Sequence, residues 1–259
     1  MPRPTLEATL RQQRDAGRKL LVPYVTGGLG SDWVATLEAV AAAGADAVEV
    51  GLPFSDPMID GPVIQRASFE ALAGGATATA IIAAIATADV AIPVAVMTYY
   101  NIVVRTGHRR MAQLLAASGV SGVIVPDLPV DELDGWADEA DEAGVATVLL
   151  AAPTTTGERL KLIAERARGF LYAVGLMGVT GERADLAASA GEIAQRCKAV
   201  TDLPVLVGVG ISTPAQAAEV SRVADGVVVG SALVHRILDG CGADGAAQLV
   251  KEFRAALDD

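Results

Sequence analysis

With 259 residues, 52% of them hydrophobic, the chain has the length of one large domain or two small ones and ample material for a sizeable core. Its 31 acidic residues outnumber 20 basic ones, for a net charge of −11, and no long basic run occurs; this argues against nucleic-acid binding through phosphate neutralisation and leaves solubility as the role of the acidic balance. The only two cysteines, Cys197 and Cys241, make neither a disulfide framework nor a zinc pattern, and no apolar run reaches the length of a membrane span.

Residues 1–18 are polar, with helical spacing and without the apolar core of a signal peptide, so a cytoplasmic protein is expected. A short Val/Leu-rich run at 20–25 predicts the first strand, and 33–43 has helical periodicity. Strands follow at 47–51, 94–98, 122–125, 147–150, 170–174, 205–207 and 226–229. Helical segments lie between them at 111–118, 132–143, 157–167 and 214–220, with a short one at 232–238. The stretch 68–88 has room for more than one helix. The strands lack polar alternation, as expected when both faces are buried. Eight such units in a single domain over 1–259 predict an α/β fold, a (β/α)8 TIM barrel. The second and sixth intervals are long, which predicts extended βα loops after strands 2 and 6. A doubly wound open sheet is the weaker alternative, because no glycine fingerprint follows the first strand.

Glu49 sits inside the second strand, and Asp56 and Asp60 sit on the Pro- and Gly-rich loop that follows. A buried strand acid needs a partner or a task. Acids at a strand end and on the next loop are how a parallel barrel builds an acid/base site. Glycines recur after the last three strands, in Gly178-Val179-Thr180-Gly181, Gly208-Val209-Gly210-Ile211-Ser212 and Gly230-Ser231. Backbone N–H groups there, and at a following helix N-terminus, suit a phosphate. His108 and His235 fit no Ser-His-acid set and no metal motif. Asp127 ends the fourth strand beside two prolines and reads as a turn-fixing acid more than a catalytic one.

The stretch from Val48 to Gly61, with Glu49, Gly51, then Pro53-Phe54-Ser55-Asp56-Pro57 and Asp60-Gly61, resembles the signature of the tryptophan synthase α-subunit family. The resemblance runs from about residue 20 to 238 and takes in Met97-Thr98-Tyr99-Tyr100-Asn101, Pro126-Asp127-Leu128-Pro129, Ala152-Pro153-Thr154 with Arg159, and the three glycine segments. It implies retro-aldol cleavage of indole-3-glycerol phosphate to indole and glyceraldehyde 3-phosphate, with no cofactor and no metal. By the same resemblance, Glu49 is the acid/base carboxylate, Asp60 faces the indole N–H, and Tyr172 lies near the acid/base Glu. Thr180 and Gly181 belong to a lid, and Gly181, Gly210, Gly230 and Ser231 hold the phosphate. Pro53, Phe54, Asp56 and Asn101 match positions that meet a PLP-dependent β subunit in an α2β2 assembly.

Departures from the family pattern include Gly28-Leu29 after the first strand, Ile59 beside Asp60, Ile102 after Asn101, Gly175 before the lid, and Val209 in the seventh loop. Leu29 and Ile102 bear on the partner surface and leave the chemistry as the resemblance implies it. Two alternatives stay open: a stand-alone lyase that releases free indole, and a catalytically weak subunit that activates a β partner. A barrel acting on a different phosphorylated small molecule would share the glycine segments but would not need both acids at this spacing.

Overall fold

A computed structural model of the chain describes residues 4–175, 183–208 and 210–259. Eight parallel strands close into a barrel in chain order: β1 (Leu20–Thr26), β2 (Val48–Gly51), β3 (Val94–Met97), β4 (Val120–Ile124), β5 (Ala146–Ala151), β6 (Leu171–Ala173), β7 (Val205–Val207) and β8 (Gly226–Val229). Strand β8 pairs back on β1, with Leu20 opposite Gly226. All eight predicted strands are present, and β7 and β8 have the predicted bounds.

The strands lack polar alternation because the barrel buries both of their faces. Val48 and Val50 of β2 point outward into the shell of helices, with Leu21, Val25, Val94 and Val96. The inner face carries Leu20, Val22, Ala47, Ala95, Ile124, Val148, Phe170, Leu206 and Val228. Tyr172 belongs to the same inner cluster.

The helices are α1 (Leu6–Asp15), α2 (Trp33–Ala42), α3 (Pro62–Ala73), α4 (Ala78–Thr87), α5 (Tyr100–Thr106), α6 (His108–Ala117), α7 (Asp134–Glu142), α8 (Gly157–Arg166), α9 (Arg183–Lys198), α10 (Pro214–Val220), α11 (Ser231–Leu238) and α12 (Gly242–Asp258). The long second interval holds two helices, α3 and α4. The third interval also holds two, α5 and α6, where only one was expected. Most of the sixth βα loop, with Gly178, Val179, Thr180 and Gly181, lies outside the described residues. Among the described residues, no single helix is long and apolar enough to cross a membrane.

Helix α1 closes one end of the barrel. Leu6 and Leu10 are fully buried within the inner cluster. Gly122 and Gly169 leave the space that Leu6 fills, since a Cβ there would lie 2.4 and 2.9 Å from its Cδ2. Leu6→Ala should therefore open a cavity and lower stability by about 2–5 kcal/mol in urea denaturation, with the turnover of folded molecules unchanged. A buried ion cluster ties α12 to the strands: Asp46 accepts Arg18 Nε at 2.7 Å, the Leu21 N–H at 2.8 Å and Arg254 Nη1 at 3.3 Å.

Candidate active site

Glu49 is 1% exposed and belongs to β2, where it pairs with Tyr24 on β1 and Ala95 on β3. Its neighbours Val48 and Val50 face the helices, so alternation along the strand turns Glu49 toward the barrel axis. The Oε2 atom is buried and has no hydrogen-bond partner among the described residues. Burial, helped by the charge of Asp60, pushes the Glu49 carboxyl up to about 8. At neutral pH this group mostly holds its proton, and deprotonation is within easy reach.

Asp60 lies on the loop between β2 and α3. Burial raises its pKa, and a hydrogen bond from Tyr99 works in the opposite direction. That bond runs from the Tyr99 hydroxyl to Asp60 Oδ2 at 2.9 Å. Gln65 Nε2 fixes the loop backbone by donating to the Asp60 carbonyl at 2.9 Å. The site thus joins one carboxyl that favours its neutral form to a second that retains a charge-stabilising bond. Such a pair can exchange a proton at one place and hold a negative charge at another.

Tyrosines line this space. Tyr24 and Tyr172 are both buried, and burial raises both phenols far above their ordinary value, with the charges of Glu49 and Asp60 adding to the rise. Each ring lies across a glycine. A Cβ on Gly51 would sit 1.9 Å from the Tyr24 hydroxyl, and one on Gly208 would sit 2.2 Å from the Tyr172 ring. Any larger residue at these two positions would displace the rings that wall the barrel mouth. The predicted residues Glu49, Asp60 and Tyr172 are therefore electrostatic neighbours.

After β7 and β8, Gly210 is exposed with a φ of +86°, and Gly230 caps α11. Ser231 is the exposed first residue of that helix, whose first-turn N–H groups lack partners within the helix. A Cβ on Gly230 would lie 3.8 Å from Tyr24 Cβ, which places this helix start beside the ring that also touches Gly51. Thr180, Gly181 and Val209 lie outside the described residues.

The loop residues separate into two kinds. Pro53 is buried, and the half-buried Phe54 ring stacks on Tyr99 with centroids 4.8 Å apart. Asp56 and Asn101 are exposed. Ile59 is 47% exposed and meets the site through its backbone N–H, which donates to the Tyr99 hydroxyl at 3.3 Å. Asp127 is occupied with structure: its carboxylate accepts the Tyr100 N–H at 2.8 Å and so holds the start of α5. His108 and the Tyr100 hydroxyl share a hydrogen bond at 3.0 Å, and His235 pairs with Asp239 at 3.0 Å. No group of three or more His, Cys, Asp or Glu residues among the described residues is placed to hold a metal. The buried Cys197 thiol is pushed up to about 12 by burial.

Sequence reasoning missed Tyr24 and Tyr99 as members of the site. No sequence signal marked Tyr24, since only the register of the first two strands sets it level with Glu49. For Tyr99 the signal was its place at the mouth of the third strand.

The sequence profile of the tryptophan synthase alpha chain family matches residues 10–258. The chain belongs to that family. It is 45% identical over 262 residues to the tryptophan synthase alpha chain of Streptomyces coelicolor, covering 96% of each chain. It is 43% identical over 258 residues to that of Thermobifida fusca, covering 97% of this chain and 96% of the relative. A solved structure of Mycobacterium tuberculosis tryptophan synthase superposes with a TM-score of 0.88 at 40% identity, over 98% of each chain. Family membership agrees with the barrel and with the ordered match around Glu49 and Asp60.

Proposed function

We propose that this barrel mouth splits indole-3-glycerol phosphate into indole and glyceraldehyde 3-phosphate, the lyase reaction of its family, by proton transfers alone. The observation that carries this reading is the pairing of the buried Glu49, whose Oε2 has no hydrogen-bond partner among the described residues, with Asp60 on the loop that follows its strand. Glu49 gives a proton to C3 of the indole ring, which leaves positive charge on the ring nitrogen. Asp60, ionised, accepts the ring N–H hydrogen bond and stabilises that charge. The bond from C3 to the side chain then breaks, and its electron pair returns to the ring. The adjacent hydroxyl surrenders its proton to Glu49 and becomes the aldehyde carbonyl. Glu49 ends as it began, so the proton count closes without a cofactor.

Tyr172 bounds the indole pocket next to Glu49. Gly210, Gly230 and Ser231, with Gly181, hold the phosphate through backbone N–H groups and the α11 N-terminus. The whole chain, 1–259, works as one barrel unit.

The partner is a β subunit, docked on the loops after β2 and β3. Met58, 90% exposed on the loop after β2, and Val104, 53% exposed on α5 after β3, are apolar side chains at that end of the barrel, which supports a protein partner there. Pro53, Phe54, Asp56 and Asn101 complete the surface, and the assembly is α2β2 with a PLP-dependent β chain. The test is indole release from indole-3-glycerol phosphate by the purified chain, alone and with a β subunit. Lysis that rises on adding the β subunit is expected. Lysis without stimulation would favour the stand-alone lyase, and absence of lysis in both arms would overturn the reading.

A further inference from the structure

Asp60 hangs on a loop, and a loop carboxylate by itself turns freely. Its backbone is held by Gln65, but that leaves the side chain free to rotate. Among the described residues, the hydrogen bond to its carboxylate from another side chain comes from Tyr99, at 2.9 Å to Oδ2. Tyr99 is itself pinned from three directions. Its hydroxyl accepts the Ile59 N–H at 3.3 Å, which orients the O–H toward Asp60. Its ring stacks against Phe54 at 4.8 Å with 25° between the planes. Its backbone forms the start of α5, where Asp127 accepts the next N–H, that of Tyr100. Tyr99 is only 5% exposed. A side chain fixed on three sides, donating to one oxygen of an acid carried on a loop, is built to aim that acid.

We infer that Tyr99 is the positioning residue of Asp60: it fixes Oδ2 and leaves Oδ1 to meet the substrate's ring N–H. This rests on the proposed lyase reading and adds a residue to it. Tyr99 touches no reacting atom. Without its hydroxyl, Asp60 retains its charge but loses its direction, and the penalty falls on the step in which positive charge develops at the ring nitrogen.

The test is Tyr99→Phe, which keeps the ring on Phe54 and deletes one O–H. Turnover of indole-3-glycerol phosphate should fall roughly tenfold or more, as expected for loss of a hydrogen bond to a charged group. KM should change by less than about threefold, because the phosphate supplies most of the binding. The affinity for glycerol 3-phosphate should stay unchanged. The acidic limb of kcat/KM should move to higher pH, since the bond that holds the Asp60 pKa down is gone while Glu49, Tyr24 and Tyr172 still face it. In the Asp60→Asn background, Tyr99→Phe should add almost nothing, because Tyr99 acts through Asp60.

If Tyr99→Phe folds poorly, Phe54→Leu loosens the ring from its stack and should give a smaller loss of kcat with the same non-additivity. Full turnover by Tyr99→Phe, or a loss that multiplies fully with that of Asp60→Asn, would overturn the positioning role alone. Absence of lysis in the unmodified chain would overturn the underlying function and this role with it.

Discussion

Glu49→Gln is expected to reduce indole formation by roughly 10²–10⁴-fold, the usual contribution of a positioned acid/base group. Gln fills the same volume but can neither give a proton to C3 nor receive one from the hydroxyl. The affinity for glycerol 3-phosphate should be preserved, because the residues proposed to hold the phosphate, Gly210, Gly230 and Ser231, follow β7 and β8 and do not include Glu49. The unmodified chain should lose kcat/KM as the pH rises through about 8, where the Glu49 carboxyl gives up its proton. Unfolding is separated from loss of chemistry by the sign of the stability change. The folded-state pKa of about 8 lies above the ordinary 4.5. Between those values the unfolded chain releases a proton that the folded chain keeps, so burying Glu49 costs stability increasingly as the pH rises. Gln has no such cost. The Gln variant should therefore melt at a higher temperature than the parent at pH 8, and the gain should shrink toward pH 5. An inactive variant that also melted lower at pH 8 would contradict this account of Glu49.

The position of the strand acid is legible in the sequence. Glu49 is the one acid in a run of apolar residues, and a sequence tolerates such a residue only for a return elsewhere. The barrel itself was equally legible. Strands buried on both faces leave continuous Val/Leu runs, and these mark their own bounds, as at β7 and β8. Helix α5 was not legible, because what starts it is remote. Its first N–H is received by Asp127, twenty-seven residues downstream. Helix α12 carries a similar lesson: Arg254 looks like a surface residue in sequence but is 7% exposed, held against Asp46.

The two missed tyrosines show the same limit inside the site. A tyrosine in an apolar strand reads as core, and Tyr24 does pack with Leu29, Ile64 and Ala67. What makes it part of the mouth is Gly51 on the neighbouring strand, which leaves room for the phenol, and strand register is a tertiary fact. Tyr99 needs the loop after β2 folded back over the end of β3 before its hydroxyl has a partner. The acids announced themselves by chemistry, whereas their supports depended on which loops meet.

Asp60→Asn should lower kcat by roughly a hundredfold, the scale of removing one preorganised electrostatic contact to a developing charge. Asn is nearly isosteric, but its single amide oxygen can stand in for Oδ1 or for Oδ2 and not for both, so it lacks the negative charge and one of the two acceptors. If Asp60 served only to bind indole, the substitution would act mainly on KM. If it stabilises the cationic intermediate, the loss appears in kcat at saturating substrate. A second consequence follows from the coupling of the two acids. The charge of Asp60 contributes to the raised pKa of Glu49, so its removal should lower that pKa. The alkaline limb of kcat/KM should then move to lower pH, opposite to the upward move of the acidic limb expected for Tyr99→Phe. Steady-state kinetics across pH 5–9 would read both effects in one experiment. Unchanged kcat, or an alkaline limb that stays in place, would mean that the two carboxyl groups do not share one site.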